Sequence, residues 1–277
     1  MRLDDLLRTA TQRLAETSPS PRLDARLLAR HALGVNDTWL VAHGRDDIDA
    51  SVVAAFEVML ARRAAGVPVA YLLGEREFFG RPFRVTPDTL IPRPETELLV
   101  ETALQRLAAR SRAEVLDIGT GTGCIAITLK LARPDWSLTA VDVSQGALTV
   151  ARDNGERLGA EVAWQESDLF GALAGRRFDL IVGNPPYVAE DDTHLAQGDL
   201  RFEPLGALAS GPDGLDALRK IVKLAPTYLE NSGWLILEHG WDQAEAVAGL
   251  LDDAGFVERF LIRDLAGQAR VSGGRLG

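Results

Sequence analysis

Apolar positions along the chain follow two different spacings, and the change from one to the other divides it. Through residue 74, the segments "DDLLRTATQRLAE", "PRLDARLLARHALG" and "ASVVAAFEVMLARRAAG" place Leu, Ala, Val and Met three and four residues apart. Asp or Ser precedes these runs, and Gly34 and Gly66 fit as stops, so residues 1–74 are predicted to form a small helical bundle. From Tyr71 to about Pro94 the pattern changes. "REFFGRPFRVTP" contains two short aromatic-rich runs around Gly80-Arg81-Pro82, which predicts a β-hairpin, and residues 75–94 read as a linker. "IPRPETE" then reads as a loop entering a helix, with Pro94 near the first turn and acidic residues near the positive end of the helix dipole.

After residue 112 short apolar strands alternate with helices. "EVLDIG", "SLTAVDV", "EVAWQESD", "FDLIVG" and "GWLILEHG" have the strand pattern; "CIAITLKLA", "GALTVARDNGERL", "LDALRKIVKLAPTYL" and "QAEAVAGLLDDAGF" have the helical one. Two further strands, around "VERFLIRD" and "ARVSGGRL", close the chain. This alternation predicts an α/β fold, a mainly parallel sheet with helices on both faces that binds ligands at the carboxyl ends of its strands. No internal repeat or low-complexity segment interrupts it.

Composition narrows the picture. A chain of 277 residues with 46% hydrophobic and 25% charged positions suits one large or two modest globular domains. The first residues, "MRLDDLLRTATQRLAE", carry charges every few positions and lack the apolar run of a signal peptide or membrane span, so a cytoplasmic protein with no membrane partner is expected. Forty acidic against 30 basic residues give a net charge of −10, which argues against broad contact with phosphate backbones. The single cysteine, Cys124, excludes an internal disulfide and reads as a core residue at an apolar helix start.

Candidate chemistry sits at the strand ends. "LDIGTGTGC" places Gly119, Gly121 and Gly123 in a G-x-G-x-G turn, in which backbone amides are expected to face a ligand at a helix N-terminus; a purely structural turn is the alternative. Asp142 ends the next strand about 20 residues on, where a carboxylate can accept both hydroxyls of a ribose. The alternative for Asp142 is a helix N-cap, a role for which Ser144 is also available. In "QESDLF", Asp168 can accept from an exocyclic amine while Leu169 and Phe170 cover a base; taken alone, Asp168 fits a loop or cap position equally. "FDLIVGNPPYVAE" ends an apolar strand in Asn184, Pro185, Pro186 and Tyr187, a stiff loop carrying one amide and one aromatic ring. "EDDTHL", with Asp191, Asp192 and His194, reads as a solvated loop rather than a metal cluster.

"GTGTG", Asp142, "SDLF" and "NPPY" in this order resemble the seven-stranded S-adenosylmethionine-dependent methyltransferases, and "NPPY" resembles those that methylate the nitrogen of an amide or exocyclic amine. "PVAYLLGEREFFG", "TLIPRPETE", "NPPYVAE", "RFEPLGAL" and "LEHGWDQAEAV" together resemble the PrmC/HemK family, the peptide chain release factor N5-glutamine methyltransferases, from about residue 67 to 255. The resemblance implies a Rossmann-like methyltransferase domain over residues 95–277 behind the N-terminal bundle, and a release factor as protein partner recognised by that bundle. A monomer with no direct nucleic-acid contact and no metal is expected. Gly119, Thr120, Gly121, Thr122 and Gly123 would hold the methionine part of S-adenosyl-L-methionine, Asp142 the ribose, and Asp168 with Leu169 the adenine surroundings. Ile91 to Glu97 would cover the cofactor, and Asn184 would touch both cofactor and substrate.

The implied reaction methylates the glutamine of a Gly-Gly-Gln segment and leaves S-adenosyl-L-homocysteine. A primary amide nitrogen is a weak nucleophile because its lone pair is delocalised. If the Asn184 side-chain oxygen and the Pro185 carbonyl accept from the substrate NH2 while Tyr187 stacks on the amide plane, the nitrogen is fixed with its lone pair toward the sulfonium methyl, and the two prolines keep the acceptors in place. Adenine-N6 nucleic-acid methyltransferases share "NPPY" and remain the alternative. The acidic balance and the lack of a separate basic recognition region count against it.

Overall fold

The structure is a computed structural model that describes all 277 residues. The chain forms two compact units, one made of Met1–Glu75 with Thr193–Phe202, the other of Arg76–Asp192 with Glu203–Gly277.

The first unit contains α1 (Leu3–Leu14), α2 (Pro21–Leu33), α3 (Asp37–Ala42), α4 (Ala50–Ala64) and α5 (Val69–Leu73). Leu3, Leu6, Ala10 and Leu14 form one face of α1 and bury against Leu28, Phe56 and Leu60, as their spacing requires. Local signals set the helix ends. Pro21 opens α2, Gly34 closes it in the left-handed region at φ 65°, and the Asn36 and Asp49 side chains accept from the backbone N–H groups of Trp39 and Ser51. Thr193–Phe202, two short 3-10 turns, joins this unit through a buried charge. The Arg63 guanidinium donates from Nε to Asp24 at 2.7 Å and from a terminal nitrogen to Asp199 at 2.8 Å, and the Ser18 hydroxyl donates to Asp24 at 2.7 Å.

A hairpin of β1 (Glu75–Phe78) and β2 (Arg81–Arg84) turns at Phe79 and Gly80, whose φ values of 52° and 72° suit a two-residue turn that follows the strand twist. The remaining elements run α6 (Thr96–Arg106), β3 (Glu114–Ile118), α7 (Cys124–Ala132), β4 (Ser137–Asp142), α8 (Gln145–Leu158), β5 (Ala163–Glu166), β6 (Phe178–Gly183), α9 (Asp216–Tyr228), β7 (Leu229–Glu238), α10 (Ala244–Asp253), β8 (Phe256–Arg263) and β9 (Ala269–Leu276). Seven strands form one sheet in the order β5-β4-β3-β6-β7-β9-β8, parallel except for β9, which is antiparallel to both neighbours.

Central strands covered on both faces read as continuous apolar runs, and their alternate residues feed two separate cores. Val115, Leu180, Val182 and Ile236 join one cluster with Ile125, Leu129 and Trp136, while Leu116, Ile118, Ile181, Leu235 and Leu237 join the other with Leu218 and Ile221. Phe178 packs with Ile181 rather than with Leu180, at the point where the register of β6 against β7 shifts. Chain order reverses between β3 and β6, so their loops diverge to opposite sides and leave a crevice at the carboxyl ends. Gly183 pairs with Ile118 there, and a Cβ on it would lie 2.8 Å from the Ile118 carbonyl oxygen.

The buried Arg63 charge yields a test. Arg63→Met should destabilise the first unit by about 3–5 kcal/mol, because Asp24 would remain buried without its counter-charge. Native-state hydrogen exchange at the backbone amides of α2 and α4 measures this; a loss below about 1 kcal/mol, the range of surface pairs, would show that the pair is not structural.

Candidate active site at the strand switch

A cavity of about 500 Å³ lies over the crevice between β3 and β6. Gly119 to Thr122, Asp142, Asp168, Leu169, Asn184 and Pro186 line it, which brings the ends of four parallel strands to one place. Gly123, Pro185 and Tyr187 stand behind that wall. Gly123 precedes α7 at φ 80°, and a Cβ there would come within 2.9 Å of the Trp164 ring.

The glycine turn differs from its expected form. Gly119 and Thr120 donate their amides to the Val141 carbonyl at 2.9 and 3.0 Å, Gly121 donates to the Asp142 carboxylate at 2.9 Å, and Gly123 donates to the Thr120 carbonyl at 2.8 Å. Four amides are thus consumed inside the turn rather than facing a ligand. They are drawn inward because the turn must stitch β3 to β4. What the turn offers the cavity is bare backbone, most clearly at Gly121, where a Cβ would meet nothing within 4 Å.

Asp142 accepts through one oxygen from Gly121 N and through the other from Ser144 N, each at 2.9 Å, while the Ser144 hydroxyl caps α8 by accepting from Ala147 N. The carboxylate is therefore not the cap. Burial raises its pKa above the ordinary value, and each oxygen keeps a further lone pair for an acceptor role at the cavity wall. At the end of β5, Leu169 lies in the left-handed region at φ 50°, a conformation costly for a branched side chain. Ser167 holds it there, donating its hydroxyl to the Leu169 carbonyl at 2.8 Å while accepting from Ala172 N at 3.0 Å. Asp168 stays exposed on the same turn.

At the end of β6 the Asn184 amide nitrogen donates to the Thr96 hydroxyl at 3.2 Å. Pro185 is buried, and Tyr187 is fixed at both ends: its amide donates to the Leu208 carbonyl at 3.1 Å, and its hydroxyl donates to Glu238 at 3.2 Å. Cys124 also lines the cavity, but burial pushes its thiol up to about 12, which leaves it a protonated wall residue.

Residues 5–74 match the family described as PrmC N-terminal domain, and residues 94–200 match the methyltransferase small domain. A release factor glutamine methyltransferase of Bordetella pertussis is 54% identical over 92% of this chain and 95% of its own. The chain belongs to the release factor glutamine methyltransferase family. A second member, from Escherichia coli, is 43% identical over 97% of each chain. Among solved structures, a methyltransferase from Pyrococcus furiosus shares the fold, with a TM-score of 0.55 and 19% identity over 80% of this chain and 98% of that one. No helix of the protein is long and apolar enough to cross a membrane.

For a chain of this family, three buried carboxylates at the site went unassigned in the sequence. Glu203 accepts from Ile91 N at 2.9 Å and pairs with Arg93, tying "RFEP" to "IPRP". Glu238, at the end of β7, accepts from the Thr96 hydroxyl at 2.7 Å. Asp117, beneath the glycine turn, accepts through one oxygen from the Thr120 hydroxyl at 2.6 Å and from Ala126 N at 3.3 Å, while its other oxygen is buried without a partner. The available signal was a single acidic residue at the end of each apolar run, "EVLD" and "GWLILE".

Burial pushes Asp117 and Glu238 up to about 7 from ordinary values of 3.8 and 4.5. Between those values the folded chain binds more protons than the unfolded one, so both groups stabilise the fold at low pH and lose that contribution as pH rises to 7. Asp117→Asn should reduce the fall in Tm between pH 5 and 7 by about one proton's share. Calorimetry on the ligand-free protein reads it, and an unchanged slope would mean that Asp117 titrates normally.

Proposed function

We propose that this chain transfers the methyl group of S-adenosyl-L-methionine to the side-chain amide nitrogen of the Gly-Gly-Gln glutamine in peptide chain release factors. The observation that carries this reading is the placement of Asn184 on the cavity wall with its NH2 end occupied by Thr96, which leaves its oxygen to accept from a substrate NH2. Membership of the family supports the choice of a glutamine over an adenine amine, as does the net charge of −10.

The cavity fits the cofactor in volume and in donor set. The turn from Gly119 to Thr122 would hold the methionine part, Asp142 would accept from the ribose, and Asp168 with Leu169 would border the adenine, all of them on the cavity wall. The unpartnered Asp117 oxygen beneath the turn suits a nearby positive charge, such as the ammonium of an amino acid. When bound, S-adenosylmethionine supplies an electrophilic methyl on a sulfonium and leaves as S-adenosylhomocysteine. The protein's task is orientation. Asn184 and the Pro185 carbonyl hold two substrate N–H bonds so that the nitrogen lone pair points along the attack line, and Pro186 limits the reorganisation needed in the transition state. The nitrogen becomes acidic only after the C–N bond forms, so its proton can pass to solvent without a strong base. Residues 1–74 would recognise the body of the release factor as a soluble, monomeric enzyme's docking unit; photo-crosslinkers placed on their surface should label the factor, and a failure from every position would refute that role.

Three measurements test the reading. Incubation with labelled cofactor should place one methyl on the release factor glutamine and none on duplex DNA; label on DNA alone would favour the adenine alternative. Asp142→Ala should weaken cofactor binding by about 1–3 kcal/mol in calorimetry, since two hydroxyls lose a charged acceptor; unchanged affinity would remove Asp142 from the site. Asn184→Ala should lower kcat by about 10²–10³, a larger loss than it causes in cofactor affinity. A stable variant turning over at the wild-type rate would refute the orienting role.

A further inference from the structure

The three polar residues behind Asn184 form a chain whose direction is set at one end. Glu238 on β7 is 1% exposed, and its two oxygens face two different partners. One lies 2.7 Å from the Thr96 hydroxyl, the other 3.2 Å from the Tyr187 hydroxyl. Thr96 is itself 2% exposed and meets the Asn184 amide nitrogen at 3.2 Å. Two members of the "NPPY" loop, Asn184 through Thr96 and Tyr187 directly, therefore depend on one buried carboxyl.

We propose that Glu238 is a positioning residue for methyl transfer: through Thr96 it dictates which end of the Asn184 carboxamide faces the substrate, and through the Tyr187 hydroxyl it anchors the same loop. This rests on the reading that Asn184 accepts from a substrate NH2. An ionised carboxyl can only accept, so the single Thr96 proton is committed to Glu238. Toward Asn184, Thr96 can then only accept, and only the NH2 end of Asn184 satisfies it. The Asn184 oxygen is thereby turned to the cavity. If Glu238 carries a proton on the oxygen that meets Thr96, the chain can reverse: Thr96 receives from Glu238 and donates to Asn184, whose oxygen turns inward. The NH2 group would then meet the substrate NH2, donor against donor.

The charges around Glu238 place this reversal within reach. Burial pushes it up to about 7, against the opposing hydrogen bonds from Thr96 and Tyr187 and the charge of Arg270 on β9, while Glu95 at the start of α6 pushes it further up. Arg93, ahead of α6, acts on Tyr187, whose pKa burial and Glu238 raise above its ordinary value, so the phenol stays a donor. The Cys124 thiol, which also feels Glu238, stays protonated.

The relay separates from a scaffold role in kinetics. Thr96→Val, of similar shape but without the hydroxyl, should lower kcat by at least about tenfold, more than it changes cofactor affinity, and Thr96→Ser should restore most of it. Wild-type kcat in the Val variant, or no rescue by Ser, would overturn the proposal. The wild-type kcat should rise with pH around a midpoint near 7, and Glu238→Gln should be slower and lack that acidic limb; a persistent limb would count against Glu238. A readout independent of any substrate is the Asn184 side-chain amide resonance in the full chain, assigned by its loss in Asn184→Asp. It should shift between pH 5 and 9 with a midpoint near 7 and stand still in Glu238→Gln. A stationary wild-type resonance overturns the proposal. A moving one in a protein that leaves release factors unmethylated supports the relay and refutes the substrate reading instead.

Discussion

The site depends on one close approach, that of β6 to β3 where the sheet changes direction. Gly183 lies so near the Ile118 carbonyl that a methyl group would collide with it, and one residue further along each strand the Asn184 carbonyl oxygen stands 4.0 Å from where a Gly119 side chain would begin. Two loops of unrelated chemistry, the glycine turn proposed to admit the cofactor and the "NPPY" loop proposed to grip the amide, are thus held within a van der Waals contact of each other. Parallel pairing supplies the alignment, since strands in register end together. A reaction between two bound groups needs that proximity before any side chain can contribute.

Much of this was legible in the sequence because it is local. Period-2 and period-3.6 apolar runs mark the strands and helices, and G-x-G-x-G, Asp142 and "NPPY" sit at strand ends, where a parallel sheet opens its crevice. The rest was hidden by distance along the chain. Glu238 meets Thr96 across 142 residues and Glu203 meets Ile91 across 112, and no periodicity links such positions. The polar stretch "THLAQGDLRF" reads as an ordinary loop, although it completes the N-terminal unit. Even the glycine turn was only half readable: spacing announces a turn, but whether its amides point outward or inward is settled by the Val141 and Asp142 oxygens of the next strand.

The buried carboxylates share a further property. Asp117 and Glu238 on the strands and Glu203 in the loop before α9 are each buried among mainly apolar neighbours, at the desolvation penalty that burying a carboxylate carries. Apolar replacements of similar volume would suit the core better. Their presence beside the cavity follows the general pattern in which a local conflict with packing marks a place where geometry matters more than stability. Each also fixes a segment without regular structure of its own: Glu203 the approach to α6, Glu238 the exit of β6, and Asp117 the turn before α7.

The bond from Arg63 to Asp199 spans 136 residues, and its consequence is one of timing. As the chain leaves the ribosome, α1 to α5 emerge with Asp24 as the only carboxylate ready for Arg63, and the second arrives only after β3 to β6 have been made. Closing so long a loop costs little more than closing a shorter one, because the entropy grows only with the logarithm of length. It does, however, order events: the amino-terminal helices can collapse early but reach their final state only once residue 199 has been made. Nascent chains stalled before residue 199 would therefore carry a half-paired guanidinium in an otherwise apolar bundle, a marginal intermediate of the kind that chaperones and proteases sort.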